Sequence, residues 1–434
     1  MRLLLKYILF TICLILFCSP LFCQWKQNEF VIGTFADPRI SRDNNFMKDS
    51  LSFIKAKNAY FNLLTGPQYY IGARDFSLMD RTLKLAEKFN MHLLVIDSRM
   101  RIADASFNED TALKIISHFK SLNSKAFEGY YIMGEVPAKY VSQIQRWAAF
   151  FKKNDPDKLV YYYLLPDYAF SSRTEYEKYV NDLSSVAVNS DVIAYDFYPF
   201  NKKGNIVNSY FYNLNLISKK AGNRPFWSYV LSTSTPNYTD PTEYQLNFST
   251  FCPLAYGAKG IIYFTYETIP ETEKVKFGDA IIDKNGNPTK KYAIVKTINQ
   301  YVSKVIGPMI MNSVKIGTFH TSEKSADEQL SKSQILNLNS NFLRINNSNI
   351  LVGIFKSKTS SSRYLLLVNK KNDSLKNVLL SLNGNFKNKV KIYPRMNQFN
   401  GTVITTTLNT KLSSGKTICS VGNFVPGEAV LIEF

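Results

Sequence analysis

Histidine is scarce in this chain: 434 residues hold three, at His92, His118 and His320. No two lie within metal-ligand spacing, so a histidine-based zinc centre is excluded. A Ser-His-Asp hydrolase would need a histidine where a strand gives way to a functional loop, and none is predicted there. Cysteine is scarce as well. Of five, Cys13, Cys18 and Cys23 fall in the first 24 residues, which leaves Cys252 and Cys419 far apart. A bridge between those two stays open, and two buried thiols are the expectation. Either way this is not a disulfide scaffold, and stability must come from a hydrophobic core. No Gly-rich loop follows any predicted strand, which argues against a dinucleotide or nucleoside triphosphate enzyme. Acidic residues are outnumbered, 34 to 53, for a formal net charge of +19. The lysines are scattered among asparagines. That pattern fits a solvated surface better than a nucleic-acid groove, which clusters its basic residues. An anionic polysaccharide or a negatively charged cell surface is the other use for such charge.

The opening MRLLLKYILFTICLILFCSPLFCQ places Arg2 and Lys6 before an apolar stretch at 7–17 and a Ser-Pro break. That order reads as a secretory signal over residues 1–24, and implies a secreted, periplasmic or cell-surface protein. Its apolar core is short for a membrane span, and no later stretch is long enough. Cys18 and Cys23 offer sites for a lipid anchor. Both follow phenylalanine, whereas lipid attachment favours a small residue.

From Phe30 onward two patterns alternate. The strand candidates are FVIGTFADP (30–38), NAYFNLLTG (58–66), MHLLVIDSR (91–99) and GYYIMGEVP (129–137). LVYYYLLPD (159–167), DVIAYDFYP (191–199), PFWSYVLST (225–233) and KGIIYFTYE (259–267) follow. Segments of helical period lie between them, including 74–89, 108–122, 140–154 and 243–258, the last interrupted by Pro253. Continuous apolar strands imply burial on both faces, as in a parallel sheet covered by helices. Eight such units predict a (β/α)8 barrel over residues 25–310. After about residue 310 short strands recur with Asn, Gly, Ser and Lys turns and no helix, from NILVGIFKS (349–357) to EAVLIEF (428–434). They predict an all-β sandwich over 311–434, joined through the Ser/Lys/Asp-rich stretch at 321–334.

Barrel chemistry sits where strands end and βα loops begin. The predicted strand ends carry Asp37, Asn62, Asp97 with Arg99, Glu135, Asp167, Asp196 with Tyr198, and Tyr266 with Glu267; Trp227 lies near the seventh. Such a ring suits sugar, since aromatic faces cover the C–H face of a ring while carboxylates and amides bond its hydroxyls. Glycoside hydrolysis needs two carboxyl groups. Glu135 ends an apolar strand whose surroundings could raise its pKa, so it is the acid candidate. Its structural alternative is a helix cap or an arginine pair. Asp196, two strands away, is the second carboxylate, or else a group that binds hydroxyls or orients Glu135. Glu267 is the third choice. Asp37 and Asp97 read as binding or rim-bracing groups.

Four stretches carry a family likeness: GYYIMGEVP, DVIAYDFYPF, LAYGAKGIIYFTYE and GDAIIDKNGNPTKKYAIVKTINQYVSKVIGPMI, with NFVPGEAVLIEF at the end. In this order they resemble the β-galactosidase-like (β/α)8 glycoside hydrolases of the retaining clan, the family 42-type relatives. The resemblance implies an acid/base role for Glu135 and an appended β-domain. It also shows departures. Gly134 stands where the clan has asparagine before its acid/base glutamate. The seventh strand, FWSYVLSTST, carries no acid where the clan places its nucleophile. Glu267 stands where many relatives have tryptophan. The expectation is therefore a secreted glycoside hydrolase acting on a poly- or oligosaccharide through Glu135 and Asp196, with no metal, cofactor or nucleic-acid partner. The alternative is a glycan-binding protein that kept the barrel and lost the nucleophile.

Overall fold

The computed structural model describes residues 25–41, 45–66, 76–100, 108–185, 190–271, 276–321 and 342–434. The predicted signal, both candidate lipid-bearing cysteines and nearly all of the predicted linker lie outside these residues.

Eight parallel strands close into a barrel in chain order. They are β1 (Val31–Phe35), β2 (Leu63–Leu64), β3 (His92–Ile96), β4 (Phe127–Met133), β5 (Leu159–Leu164), β6 (Ile193–Tyr195), β7 (Phe226–Leu231) and β8 (Gly260–Phe264). Closure runs in register from Val31–Gly260 to Phe35–Phe264. The following helices are α1 (Phe46–Asn58), α2 (Ser77–Lys88), α3 (Glu109–Ser121), α4 (Val141–Asn154), α5 (Arg173–Ser184), α6 (Tyr210–Ala221), α7 (Glu243–Ala255) and α8 (Lys290–Tyr301). Asn45, Asn108 and Ser172 cap α1, α3 and α5 through their side chains, and Thr242 with Gln245 forms a capping box on α7. These caps satisfy first-turn N–H groups that would otherwise lack partners. Pro253 is held inside α7, which ends two residues later.

Successive strand residues face opposite ways, and both sides are buried. On β5, Leu159, Tyr161 and Tyr163 join the cluster inside the barrel, while Val160, Tyr162 and Leu164 join the layer beneath the helices. This double burial is why the strands read as unbroken apolar runs. The interior is filled by Tyr131, Tyr161, Tyr163, Trp227 and Tyr229. Gly260 makes room for one of them: a Cβ there would lie 2.5 Å from Trp227 Cδ1.

A π-helical segment and α9 (Gly307–Met311) lead out of the barrel. The strands beyond are β9 (Ser313–His320), β10 (Leu343–Ile345), β11 (Ile350–Ser357), β12 (Arg363–Asn369), β13 (Leu375–Asn383), β14 (Lys391–Ile392), β15 (Thr406–Thr407), β16 (Thr410–Ser413), β17 (Lys416–Phe424) and β18 (Ala429–Glu433). They form two antiparallel sheets, β10-β13-β17-β16 and β15-β14-β18-β12-β11-β9. Val352, Leu367, Leu380, Val421 and Ile432 belong to the core between them. The larger sheet also packs on α7. At Gly353 a Cβ would meet the Ala255 carbonyl at 2.5 Å, so only glycine permits this approach. His320 is buried at the same junction, 2.8 Å from Tyr256 Oη. Cys252 and Cys419 are both buried and form no disulfide with each other. Among the described residues no helix is long and apolar enough to cross a membrane.

Candidate active site

β4 ends at Met133, and its pairing with β5 shifts register between Tyr131 and Met133. Gly134 and Glu135 follow. A Cβ on residue 134 would lie 2.5 Å from Tyr163 Oη and 2.6 Å from Tyr131 Oη. The two tyrosine hydroxyls thus occupy the space that a side chain before Glu135 would need, so the departure from asparagine at 134 has a steric cause. Glu135 itself has φ of +46°. A non-glycine residue in that region costs about 1–2 kcal/mol and persists only where the surroundings enforce it. The enforcement comes from Val136. It is fully buried, its N–H donates to the Tyr163 carbonyl (3.1 Å), and its carbonyl accepts from Tyr179 Oη (2.7 Å). Tyr179, on α5, in turn accepts from the Leu165 N–H at 3.0 Å. The bend turns the Glu135 side chain out to solvent at the mouth of the barrel.

Asp196 follows β6, its N–H donating to the Leu164 carbonyl at 3.2 Å. It is 5% exposed, and its carboxyl lies against that of Glu135 and within the field of the Tyr198 hydroxyl. Burial and then the Glu135 charge push Asp196 well above the carboxylate range. Burial raises Glu135 too, while Asp196 pulls it back. Burial therefore favours a proton on Asp196, the more enclosed of the two, and the protonation of each carboxyl depends on that of the other.

Aromatic groups surround the pair. Below lie Tyr163 and Tyr161, both raised by burial and by the Asp196 charge among others. Above, Tyr168 and Tyr238 reach from the loops after β5 and β7 and meet hydroxyl to hydroxyl at 3.2 Å. Both lie within the field of Asp196 and Glu135. The Tyr238 ring packs edge-on against Tyr198 at 5.2 Å, and Tyr168 is 61% exposed. The alternation in YYIMGE and LVYYYLL is the signal that could have marked the inward tyrosines, because residues two apart share a face. Nothing in the loop at 235–240 marked Tyr238.

The other predicted residues take three different places. Glu267 is buried and paired with Arg39, which bonds it through both its guanidinium and its N–H (2.8 Å). Burial pushes it up to about 7 against that pull. Asp37 lies beside this pair, bonded by Thr34 Oγ1 and the Thr65 N–H, and burial pushes it up to about 8. Asp97 is clasped by Arg99, with Nε at 2.8 Å and Nη2 at 2.5 Å. Asp167 lies near α5 and α6, where its charge acts on Tyr176 and Tyr212.

Three residues predicted at the rim are elsewhere. Trp227 is the second residue of β7 and is buried in the barrel floor, its Nε1 donating to Gln27 Oε1 at 3.0 Å. Asn62 precedes β2 and bonds the backbone of Ile32 (2.8 Å) and Phe30 (2.9 Å) at the same end. Both line a floor cavity of about 240 Å³ with Trp25, His92 and Glu128. Tyr266 turns outward, edge-on to Phe61 at 5.2 Å in the layer under the helices. Strand parity and strand end decided these positions, not residue type.

A family profile described as Glyco_hydro_42: Beta-galactosidase matches residues 140–305. The match takes in Asp196 and less than half of the chain, and begins after Glu135. Among solved structures the chain is similar to a Paenibacillus sp. cycloisomaltooligosaccharide glucanotransferase, at 7% identity and a TM-score of 0.58, over 96% of this chain and 86% of that one. It is also similar to a GH51 alpha-L-arabinofuranosidase from Thermotoga petrophila RKU-1, at 11% identity and a TM-score of 0.50, over 95% and 97% of the two chains. At such identities the likeness is one of fold. No curated protein matches. The barrel with its β-domain is of the glycoside-hydrolase-like kind, and the profile match supports an enzyme acting on carbohydrate.

Proposed function

We propose that the chain is a glycoside hydrolase of a poly- or oligosaccharide, with Glu135 as its general acid and Asp196 as the partner that supplies and returns its proton. The observation that carries this is the Glu135–Asp196 carboxyl pair at the ends of β4 and β6. Glu135 faces the solvent from which a glycan arrives; Asp196 is buried behind it. As the glycosidic C–O bond breaks, the one proton of the pair passes from Asp196 to Glu135, which delivers it to the leaving oxygen. Water supplies a hydroxyl to the sugar and a proton to the pair, so the resting state is restored. Carboxyls in direct contact are closer than the roughly 5–5.5 Å of retaining enzymes or the 6.5–9.5 Å of inverting ones. This spacing supports proton sharing for Asp196 rather than attack on the anomeric carbon. The exposed Tyr168, with the half-buried Tyr238, would offer ring faces to the sugar. We further infer a leader over 1–24, a barrel over 25–310 and a β-domain over 311–434.

Glu135→Gln and Asp196→Asn, assayed for kcat on a panel of aryl glycosides and plant or bacterial oligosaccharides, test the reading. Glu135→Gln should lose about 10²–10⁴-fold. Asp196→Asn should lose less, and azide should not rescue it. A glycosyl azide product from Asp196→Asn would make Asp196 a nucleophile instead. The second reading, a glycan binder without turnover, is favoured by the acid-free end of β7 and by the capture of Glu267 by Arg39. Oligosaccharide binding with no hydrolysis across the panel by the native chain would establish it.

A further inference from the structure

On the opposite side from the carboxyl pair, a cavity of about 330 Å³ opens between the C-terminal ends of α6 and α7, the starts of β7 and β8, and β9. Four basic residues line it: Arg224, Lys259, Lys315 and Lys358. Among the described residues lining it there is no aspartate or glutamate. The floor cavity differs, since Lys26 and His92 there face Glu29 and Glu128.

Two of the four cations have a structural task. The Arg224 guanidinium donates to the carbonyls of Ser184 (2.6 Å), Lys220 (3.1 Å), Ser190 (3.3 Å) and Ala221 (3.4 Å), closing the ends of α5 and α6. Lys358 Nζ donates to the Met311 carbonyl at 2.8 Å. Lys315 Nζ donates to a neutral group, Ser218 Oγ, which itself donates to the Tyr256 carbonyl at 2.8 Å. Lys259 stands at the cavity wall directly before β8.

Like charges gathered in a recess repel one another and lose hydration. Burial and then Lys358 hold Lys259 below the usual lysine range, and burial and then Lys219 bring Lys315 down to about 8. An anion held in the cavity would offset that repulsion and favour the charged form of each lysine that reaches it.

We propose that this cavity is an oxyanion site for a sulfate or phosphate group, with Lys259 and Lys315 as its charged ligands. The group is either a free ion or an ester on a glycan. The volume accommodates either with its hydration, being many times the roughly 10–15 Å³ that one water requires. The site does not depend on the carboxyl pair, and its test leaves glycoside hydrolysis out.

Titration calorimetry of the full chain, at constant ionic strength balanced with chloride, tests it with sodium sulfate, sodium phosphate, a sulfated disaccharide and its unsulfated parent. Saturable binding of sulfate or phosphate is expected, and Lys259→Met and Lys315→Met should each weaken it about tenfold or more. Lys315→Arg should keep it. If the sulfated disaccharide binds more tightly than the free ion, the ester is the ligand; if the two bind alike, the free ion is. Both results support the site. Thermal melts in chloride serve as the folding control: the Met variants should melt at the native temperature or above, because a like charge has been removed. A lower melting temperature in both Met variants, equal binding by native and variant chains, or no saturation with any of the anions would overturn the proposal.

Discussion

The two ends of the barrel carry the same kinds of residue and do opposite things with them. At the floor, Glu128 accepts from Trp25 Nε1 (2.5 Å) and pairs with His92 Nδ1 (2.9 Å). Burial there would raise Glu128, but the bonds and charge of His92, with Trp25, bring it below its ordinary value. At the rim, Glu135 has another carboxyl as its partner, and both are raised. Aromatic packing follows the same division. Trp227 is sealed against Trp25 and Tyr161, whereas Tyr168 stands largely in solvent. A carboxylate given a cation becomes a strut; one given a second acid and a view of solvent is held in a range where it can bind a proton.

Stability and function should therefore separate by end. Trp227→Ala should cost about 3–5 kcal/mol in chemical unfolding, because it empties the centre of the floor. Sugar binding in the surviving folded fraction should be unchanged; a small stability loss with lost binding would reverse the assignment of the two ends. Gly134→Ala should cost about 1–3 kcal/mol in unfolding, since two tyrosine hydroxyls and the edge of the Tyr163 ring must move, and lower kcat sharply by displacing the Glu135 bend. Retained kcat would show that the bend is incidental.

The pH dependence of stability divides in the same way. Glu128 is depressed, so its contribution is present above its unfolded pKa and is lost as pH falls through its folded value. Asp37 and Glu267 are raised, to about 8 and about 7. Their contribution is complete below about pH 4, their unfolded range, and is lost as pH rises toward those values. His92 is raised by its bond to Glu128, so its contribution too fades as pH rises through its folded value. Asp37→Asn should flatten the decline of unfolding free energy between about pH 4 and 8 by at most about 1.4 kcal/mol per pH unit. An unchanged slope would mean that Asp37 is ionised in the folded chain. The smallest effect belongs to Tyr168→Ala: about 1 kcal/mol of glycan binding, roughly five-fold in KM, with unfolding unchanged.

All eight barrel strands could be read in the sequence because burial on both faces leaves an apolar run that survives in one dimension. The convergence of Glu135 and Asp196 was readable for the same reason: each closes such a run, two strands apart. What was not readable depended on contacts distant in sequence. Arg39 reaches Glu267 across 228 positions. Trp227 and Asn62 had the right chemistry for a sugar site but stand at the start of their strands, and the chain does not advertise which end of a run is the mouth. β9 was missed because its Val314 and Ile316 face solvent, 57% and 55% exposed, against the usual pattern. The sixth-strand pair with Glu135 gave the site its second carboxyl, while the proton between the two is a property of their contact alone.

The pH profile of kcat/KM for native chain and Asp196→Asn tests that shared proton most directly. A pair with one proton keeps its acid form to a higher pH than a lone glutamate. The native alkaline limb should therefore fall well above the ordinary carboxylate range, and Asp196→Asn should move it toward lower pH. An alkaline limb that stays in place in Asp196→Asn would contradict proton sharing between Glu135 and Asp196.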